Sequence, residues 1–335
     1  MLVSKRGDAI IAISGKMEMN TARTPRVTWL PGHDRKQIVA CEIPRTLDAV
    51  IISHDPRCAD YERADKPERP QRILETVPLL KKRHADWKWI TPKSATQKEI
   101  KRAHSAAHLE IIRHPPGDFD EDCPAYENLY QHAARSAGAA LAASRAAVEG
   151  ERAFSLMRPP GHHALRHRPL GFCYFNNIAL AAFDALARGV ERVAIWDFDA
   201  HHGNGTEAIV ANSAAIRFAS VHQFPAWPMT GAESFANIHN FPLAPYAPRE
   251  PHMQAIERAL EILLEFKPQL LLVSAGFDGF IDDPITEMSL EREDFATLGK
   301  WLREAAVPAA AMLEGGYSDE LPFLADAFLS AWDRA

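Results

Sequence analysis

From Ala49 onward, short apolar runs alternate with longer amphipathic stretches. The runs at 49–53, 153–157, 193–196, 216–221, 270–274 and 309–313 have strand length and little polar alternation. Such runs predict strands covered on both faces, as in a parallel sheet. Between them, helices are predicted at about 71–84, 97–113, 125–148, 176–188, 251–266, 292–306 and 321–332. In the first, Ile73, Leu74, Val77 and Leu80 recur near helical spacing, and Pro78 predicts a kink or a split. The alanine-rich third helix stops at Gly150, and the fourth stops at Gly189. Segments 115–124 and 222–250 read as irregular, the latter broken by Pro225, Pro228, Pro242, Pro245 and Pro248. Strand–helix alternation with helical crossovers predicts an α/β fold, a mostly parallel central sheet with helices on both faces in three αβα layers. A folded domain is expected at 49–335. Residues 1–48 sustain no period and are expected to be an N-terminal extension, either packed on the domain or disordered.

Composition adds exclusions. The chain has 335 residues, 47% hydrophobic and 24% charged, which rules out a fibrous or disordered class. A net charge of −6 leaves no basic footprint for nucleic acid. No apolar run is long enough to span a bilayer, and the run 9–14 is too short for a signal peptide. Cys41, Cys58, Cys123 and Cys173 are scattered with no CxxC pair, which suggests reduced thiols and a cytoplasmic setting.

Four of the predicted strands end in polar clusters. The most telling is Asp197-Phe198-Asp199-Ala200-His201-His202-Gly203-Asn204-Gly205-Thr206. If the strand persists, Asp197, Asp199 and His201 point to one face, at the carboxyl end where open α/β sheets put ligands. A divalent metal site is one reading; a helix-capping Asp with turn residues is the bland one. After 153–157 comes Arg158-Pro159-Pro160-Gly161-His162-His163-Ala164, where a stiff turn holds two adjacent histidines suited to acid–base work. After 270–274, Asp278 sits where a third ligand is wanted, although Asp before Gly is also common in turns. After 309–313, Glu314-Gly315-Gly316-Tyr317 offers a phenol for a developing oxyanion, or simply a packed aromatic. Two carboxylates and one imidazole leave an open position, as a catalytic zinc needs, and also suit Fe2+, Co2+ or Mn2+.

Together with Gly171-Phe172-Cys173-Tyr174-Phe175-Asn176-Asn177, these ordered motifs resemble the histone deacetylase family, of arginase–deacetylase fold, over roughly 49–335. The Pro-Pro-Gly and the Asn of His-Gly-Asn-Gly are similar to its class II and bacterial branch. The resemblance implies that Asp199, His201 and Asp278 bind zinc. It implies that His162 and His163 hold the attacking water, with His163 the general base and acid. Asp197 would pair with His162, Asn204 would support His163, and Tyr317 would polarise the amide carbonyl. A structural K+ would take backbone carbonyls of Asp197, Asp199, His201 and Val221 with the Asp197 and Ser220 side chains. Gly171, Phe172 and Trp227 would line an acyl-lysine tunnel, and Asp122 would grip substrate backbone at its rim. Two departures stand out: Lys66 where the family commonly has His, and Met229 for a common Gly near Trp227.

The resulting expectation is a zinc-dependent amidohydrolase removing acetyl or other acyl groups from lysine in a protein or peptide. An acetylpolyamine amidohydrolase acting on a small acetylated amine is the alternative, and a non-catalytic acyl-lysine binder the remoter one. No nucleic-acid or membrane partner is expected, and a homo-oligomer is compatible with the sequence.

Overall fold

The computed structural model describes residues 49–333, so the expectation for 1–48 lies outside the described residues. The strands are β1 (Ile51–Ser53), β2 (Lys88–Ile90), β3 (Ala153–Ser155), β4 (Val193–Asp197), β5 (Ile216–Gln223), β6 (Ile238–Leu243), β7 (Leu270–Ala275) and β8 (Ala309–Leu313). They form one sheet in the order β2-β1-β3-β8-β7-β4-β5-β6, with every neighbouring pair parallel. The helices are α1 (Gln71–Leu74), α2 (Thr76–Arg83), α3 (Gln97–Ile100), α4 (Ala106–Arg113), α5 (Leu129–Val148), α6 (Asn177–Ala187), α7 (Asn204–Val210), α8 (Arg249–Glu265), α9 (Arg292–Glu304) and α10 (Leu321–Asp333).

The period of two along each strand divides the core. Val193 and Ile195 join α5 and α6 in one hydrophobic cluster; Ala194 and Trp196 join α8, α9 and α10 in the other. Both faces of β4 are therefore covered, which explains its unbroken apolar run. Each fully buried large side chain, such as Phe154 or Phe328, contributes about 1.5–3 kcal/mol of burial free energy.

One expectation is met, a split of the 71–84 helix, and three details differ. The 71–84 helix breaks at Glu75, upstream of Pro78, which then sits in the first turn of α2. Pro78 has no N–H for the Leu74 carbonyl and its ring crowds that oxygen, so the interruption falls before it. The 97–113 helix is two helices, because Ser105 accepts the His108 N–H at 3.1 Å and caps α4 afresh. The irregular 222–250 stretch contains β6, with Pro242 inside it; β6 is an edge strand, where a missing donor is tolerated. The opposite edge, β2, was also unpredicted, being three residues long and partly exposed.

In this order β3, β8, β7 and β4 are consecutive neighbours at the centre of the sheet. They are the strands whose carboxyl ends carry the four polar clusters, so parallel pairing brings together residues more than a hundred positions apart.

Candidate active site

β4 ends at Asp197, so strand alternation does not extend to Asp199 and His201. Side-chain turns shape this segment instead. Asp197 Oδ1 accepts the Asp199 N–H at 3.2 Å, and Asp199 Oδ1 accepts the His201 N–H at 2.9 Å. Asp278, after β7, accepts the Ala200 N–H at 2.9 Å through Oδ1 and faces His201 Nδ1 at 2.8 Å through Oδ2. Asp199, His201 and Asp278 thus offer ligand atoms that all lie within 4.8 Å of one another. A Cβ on Gly276 would stand 2.1 Å from Asp199 Oδ2, and one on Gly315 would stand 2.3 Å from Asp278 Oδ2. Only glycine at these two positions leaves the carboxylates room to converge.

The electrostatics of the triad fit a cation. Burial opposes charge on His201, but its hydrogen bonds to Asp199 and Asp278 prevail and raise its pKa to about 10. Burial raises Asp278, whereas the His162 and His201 charges hold Asp199 below the carboxylate range against its own burial. Two buried carboxylates and one imidazole, converging here, offer a divalent metal ion oxygen and nitrogen donors of the types that zinc takes.

The histidine pair lies alongside, with ring centroids 3.9 Å apart. His162 Nδ1 donates to Asp197 Oδ2 at 3.1 Å, and its Nε2 is 3.7 Å from Asp199 Oδ1. Burial lowers His162, yet Asp199 and Asp197 outweigh it and raise its pKa to about 10. His163 is different. Burial, then the charges of His162 and His201, push it well below the usual histidine value. Its Nδ1 donates to Asn204 Oδ1 at 2.8 Å, which leaves Nε2 as the free acceptor. Their surroundings thus push the two neighbouring rings to opposite sides of the ordinary histidine value.

Tyr317 completes the group. Its phenol is pushed well above its ordinary pKa, chiefly by burial, and stays protonated. A cavity of about 290 Å³ is lined by His163, His201, Tyr317, Gly171, Phe172, Trp227, Ile285, Asp122, Asp65, Lys66 and Pro67. Its inner end is buried at His163 and Tyr317, and its outer end is partly exposed at Asp65, Asp122 and Trp227. The Trp227 ring stands edge-on to His163 at 4.7 Å, and Phe172 lies edge-on to Tyr317 at 5.9 Å. Trp227 keeps this place although Met229 adopts a left-handed φ of 60°, a conformation that favours glycine. Gly171, at φ 53°, could not carry a Cβ, which would lie 2.4 Å from Trp227. Asp122 is at the outer end as expected, its pKa raised by burial.

Comparison with known proteins gives a matching frame. Residues 66–331 match the histone deacetylase domain. The chain belongs to the histone deacetylase family. It is 39% identical over 251 residues to the histone deacetylase-like amidohydrolase of Pseudomonas aeruginosa, covering 68% of this chain and 66% of that protein. It is 34% identical over 302 residues to a probable deacetylase of Archaeoglobus fulgidus, covering 82% of this chain and 83% of that one. Among solved structures, acetylpolyamine aminohydrolase from Burkholderia pseudomallei aligns with a TM-score of 0.77 and 25% identity, over 85% of this chain and 98% of that one. The eight-stranded parallel sheet is the arginase–deacetylase α/β fold, and membership of the histone deacetylase family makes this chain a deacetylase-type amidohydrolase.

Several further residues, whose sequence signals no role, buttress these groups. Glu314 Oε2 accepts the N–H groups of Gly161 at 2.7 Å and His162 at 3.1 Å, tying the histidine turn to β8. Burial raises this carboxyl to about 7. Arg72 Nε donates to Gly316 O at 2.7 Å, Arg72 also donates to Glu314 O, and its guanidinium lies 4.9 Å from the Tyr317 ring centroid. Glu68 bridges Arg72 at 3.2 Å and the fully buried Arg158 at 2.5 and 2.9 Å. Asp283 Oδ2 accepts the Tyr317 N–H at 2.7 Å. The one local signal was the i,i+4 spacing of Glu68 and Arg72.

The expected K+ ligands are also neighbours. Asp197 and Ser220 are register partners across β4 and β5, with Val221 next in line. Ser220 Oγ is 2.9 Å from His222 Nδ1. Cys58, Cys123 and Cys173 are buried free thiols. Among the described residues, no helix is long and apolar enough to cross a membrane.

Proposed function

We propose that this chain is a zinc-dependent amidohydrolase that removes acetyl or other acyl groups from the lysine side chains of proteins. The observation that carries this reading is the meeting of the neutral His163, the protonated Tyr317 and His201 at the inner end of one cavity, with His201 converging on Asp199 and Asp278. Asp199, His201 and Asp278 would hold the zinc, and Fe2+ or Co2+ suits the same donors. When bound, the metal supplies Lewis acidity: it acidifies a water and polarises the amide carbonyl.

The remaining work falls to side chains. His163 Nε2, free because Nδ1–H is committed to Asn204, takes a proton from the attacking water and returns it to the leaving amine. His162, charged and paired with Asp197, supplies positive potential beside it. Tyr317 donates its O–H to the amide oxygen as negative charge develops. Gly171, Phe172 and Trp227 wall the acyl-lysine stem, and Asp122 accepts hydrogen bonds from substrate backbone at the rim. We assign the structural K+ to the carbonyls of Asp197, Asp199, His201 and Val221 with the Asp197 and Ser220 side chains, and the catalytic domain to residues 49–335.

Hydrolysis of acetyl-lysine peptides by zinc-loaded wild type, Asp199→Ala and Tyr317→Phe tests the reading. Both variants should be severely impaired; wild-type rates in both would sink it. The second reading, an acetylpolyamine amidohydrolase, draws on the similarity to the Burkholderia pseudomallei structure. The apolar Ile285 at the outer end of the cavity favours the protein substrate instead. Faster turnover of N-acetylputrescine than of any acyl-lysine peptide would reverse that preference.

A further inference from the structure

The outer end of the cavity carries an internal cation. Lys66 Nζ lies 3.5 Å from Asp65 Oδ2 and 4.0 Å from Asp122 Oδ1. The Lys66 side chain is only 10% exposed, while the two carboxylates are 67% and 38% exposed. The lysine is thus tucked under the carboxylates at the opening, with its ammonium turned to both.

Two classes of acylated amine differ at this depth. In an acyl-lysine residue the methylene stem leads from the amide to a neutral peptide backbone. In a small acetylated polyamine a similar stem leads to a second ammonium. Two carboxylates at the opening would suit that ammonium, but Lys66 already stands between them, offsets one of their two charges and weakens their attraction for a second cation. We propose that Lys66 is a specificity-determining residue that disfavours acetylated polyamines and so selects acyl-lysine within a peptide. The inference rests on reading the cavity as an acyl-amide site, and it names the feature that sets the substrate class there.

The test compares kcat/KM for N-acetylputrescine and for an acetyl-lysine peptide with neutral flanks, using zinc-loaded wild type, Lys66→Arg, Lys66→Gln and Lys66→Glu. The polyamine-to-peptide ratio should rise about tenfold in Lys66→Gln, rise further in Lys66→Glu, and stay within about twofold of wild type in Lys66→Arg. A ratio that is the same in all four proteins overturns the proposal. If none of the four hydrolyses either substrate, the functional reading fails, and Lys66 is judged by calorimetric titration with spermidine. Binding at least about fivefold tighter in Lys66→Gln than in wild type supports the proposal, and equal affinity overturns it.

Discussion

Asp283 Oδ2 accepts the backbone N–H of Tyr317 at 2.7 Å, while Oδ1 accepts that of Ile285 at 3.1 Å. One carboxylate therefore fixes two residues that line the cavity from different strand ends. Its own pKa is raised to about 7, mainly by burial. Because the contact is to main chain, it sets where the Tyr317 phenol can reach.

Removing that anchor should slow turnover more than it weakens binding. Asp283→Ala is expected to lower kcat about tenfold, the value of one lost hydrogen bond. Tyr317→Phe should lower it about 10²–10³-fold. The two losses should not add, since Asp283 acts through the phenol. A double variant slower than Tyr317→Phe by the full Asp283→Ala factor would contradict this.

The histidine pair makes a pH prediction. As the proposed general base His163 must be neutral, and its pKa is held below the usual value of about 6.5. The rate should therefore stay on its plateau as pH falls through about 6.5 and decline only beneath it. His163→Ala should lose about 10²–10⁴-fold in kcat. An acid limb centred above the ordinary histidine value would show that a different group governs it.

Glu68 links the turn that carries the histidines to the turn that carries Tyr317, through Arg158 and Arg72. Glu68→Gln leaves buried guanidinium charge unpaired and should cost about 3–5 kcal/mol in denaturant unfolding near neutral pH. Burial raises this carboxyl, but Arg158 and Arg72 prevail and hold its pKa below the ordinary glutamate value. A depressed folded pKa means the stabilisation is present above the unfolded value and lost as pH falls through the folded one. The gap between wild type and Glu68→Gln should accordingly shrink in acid. A gap independent of pH would argue against a charged Glu68.

These residues also mark where the sequence stops being readable. The triad residues, His162, His163 and Tyr317 were legible because each follows an apolar run whose parallel pairing is implied by helical crossovers. β2 and β6 were not: an edge strand needs neither an unbroken apolar run nor every N–H, so Lys88 and Pro242 hide them. Glu314 and Asp283 were missed for another reason. They act on backbone N–H groups, and the Gly161 partner of Glu314 lies 153 positions away. No side-chain type at the receiving end signals such a contact. Glu68–Arg158 is similar, spanning 90 positions between two charges that alone would pass for surface residues.

If Asp199, His201 and Asp278 hold one catalytic metal ion, its removal and return must control turnover. Stripping the protein with a chelator and titrating zinc back, while measuring bound metal and acetate released from an acetyl-lysine peptide, decides this. Activity should vanish on stripping and return in proportion to zinc, saturating at one equivalent per chain, and Asp278→Asn should neither retain the ion nor recover. Full hydrolysis by the stripped protein, or by Asp278→Asn without metal, would contradict a catalytic metal at these residues.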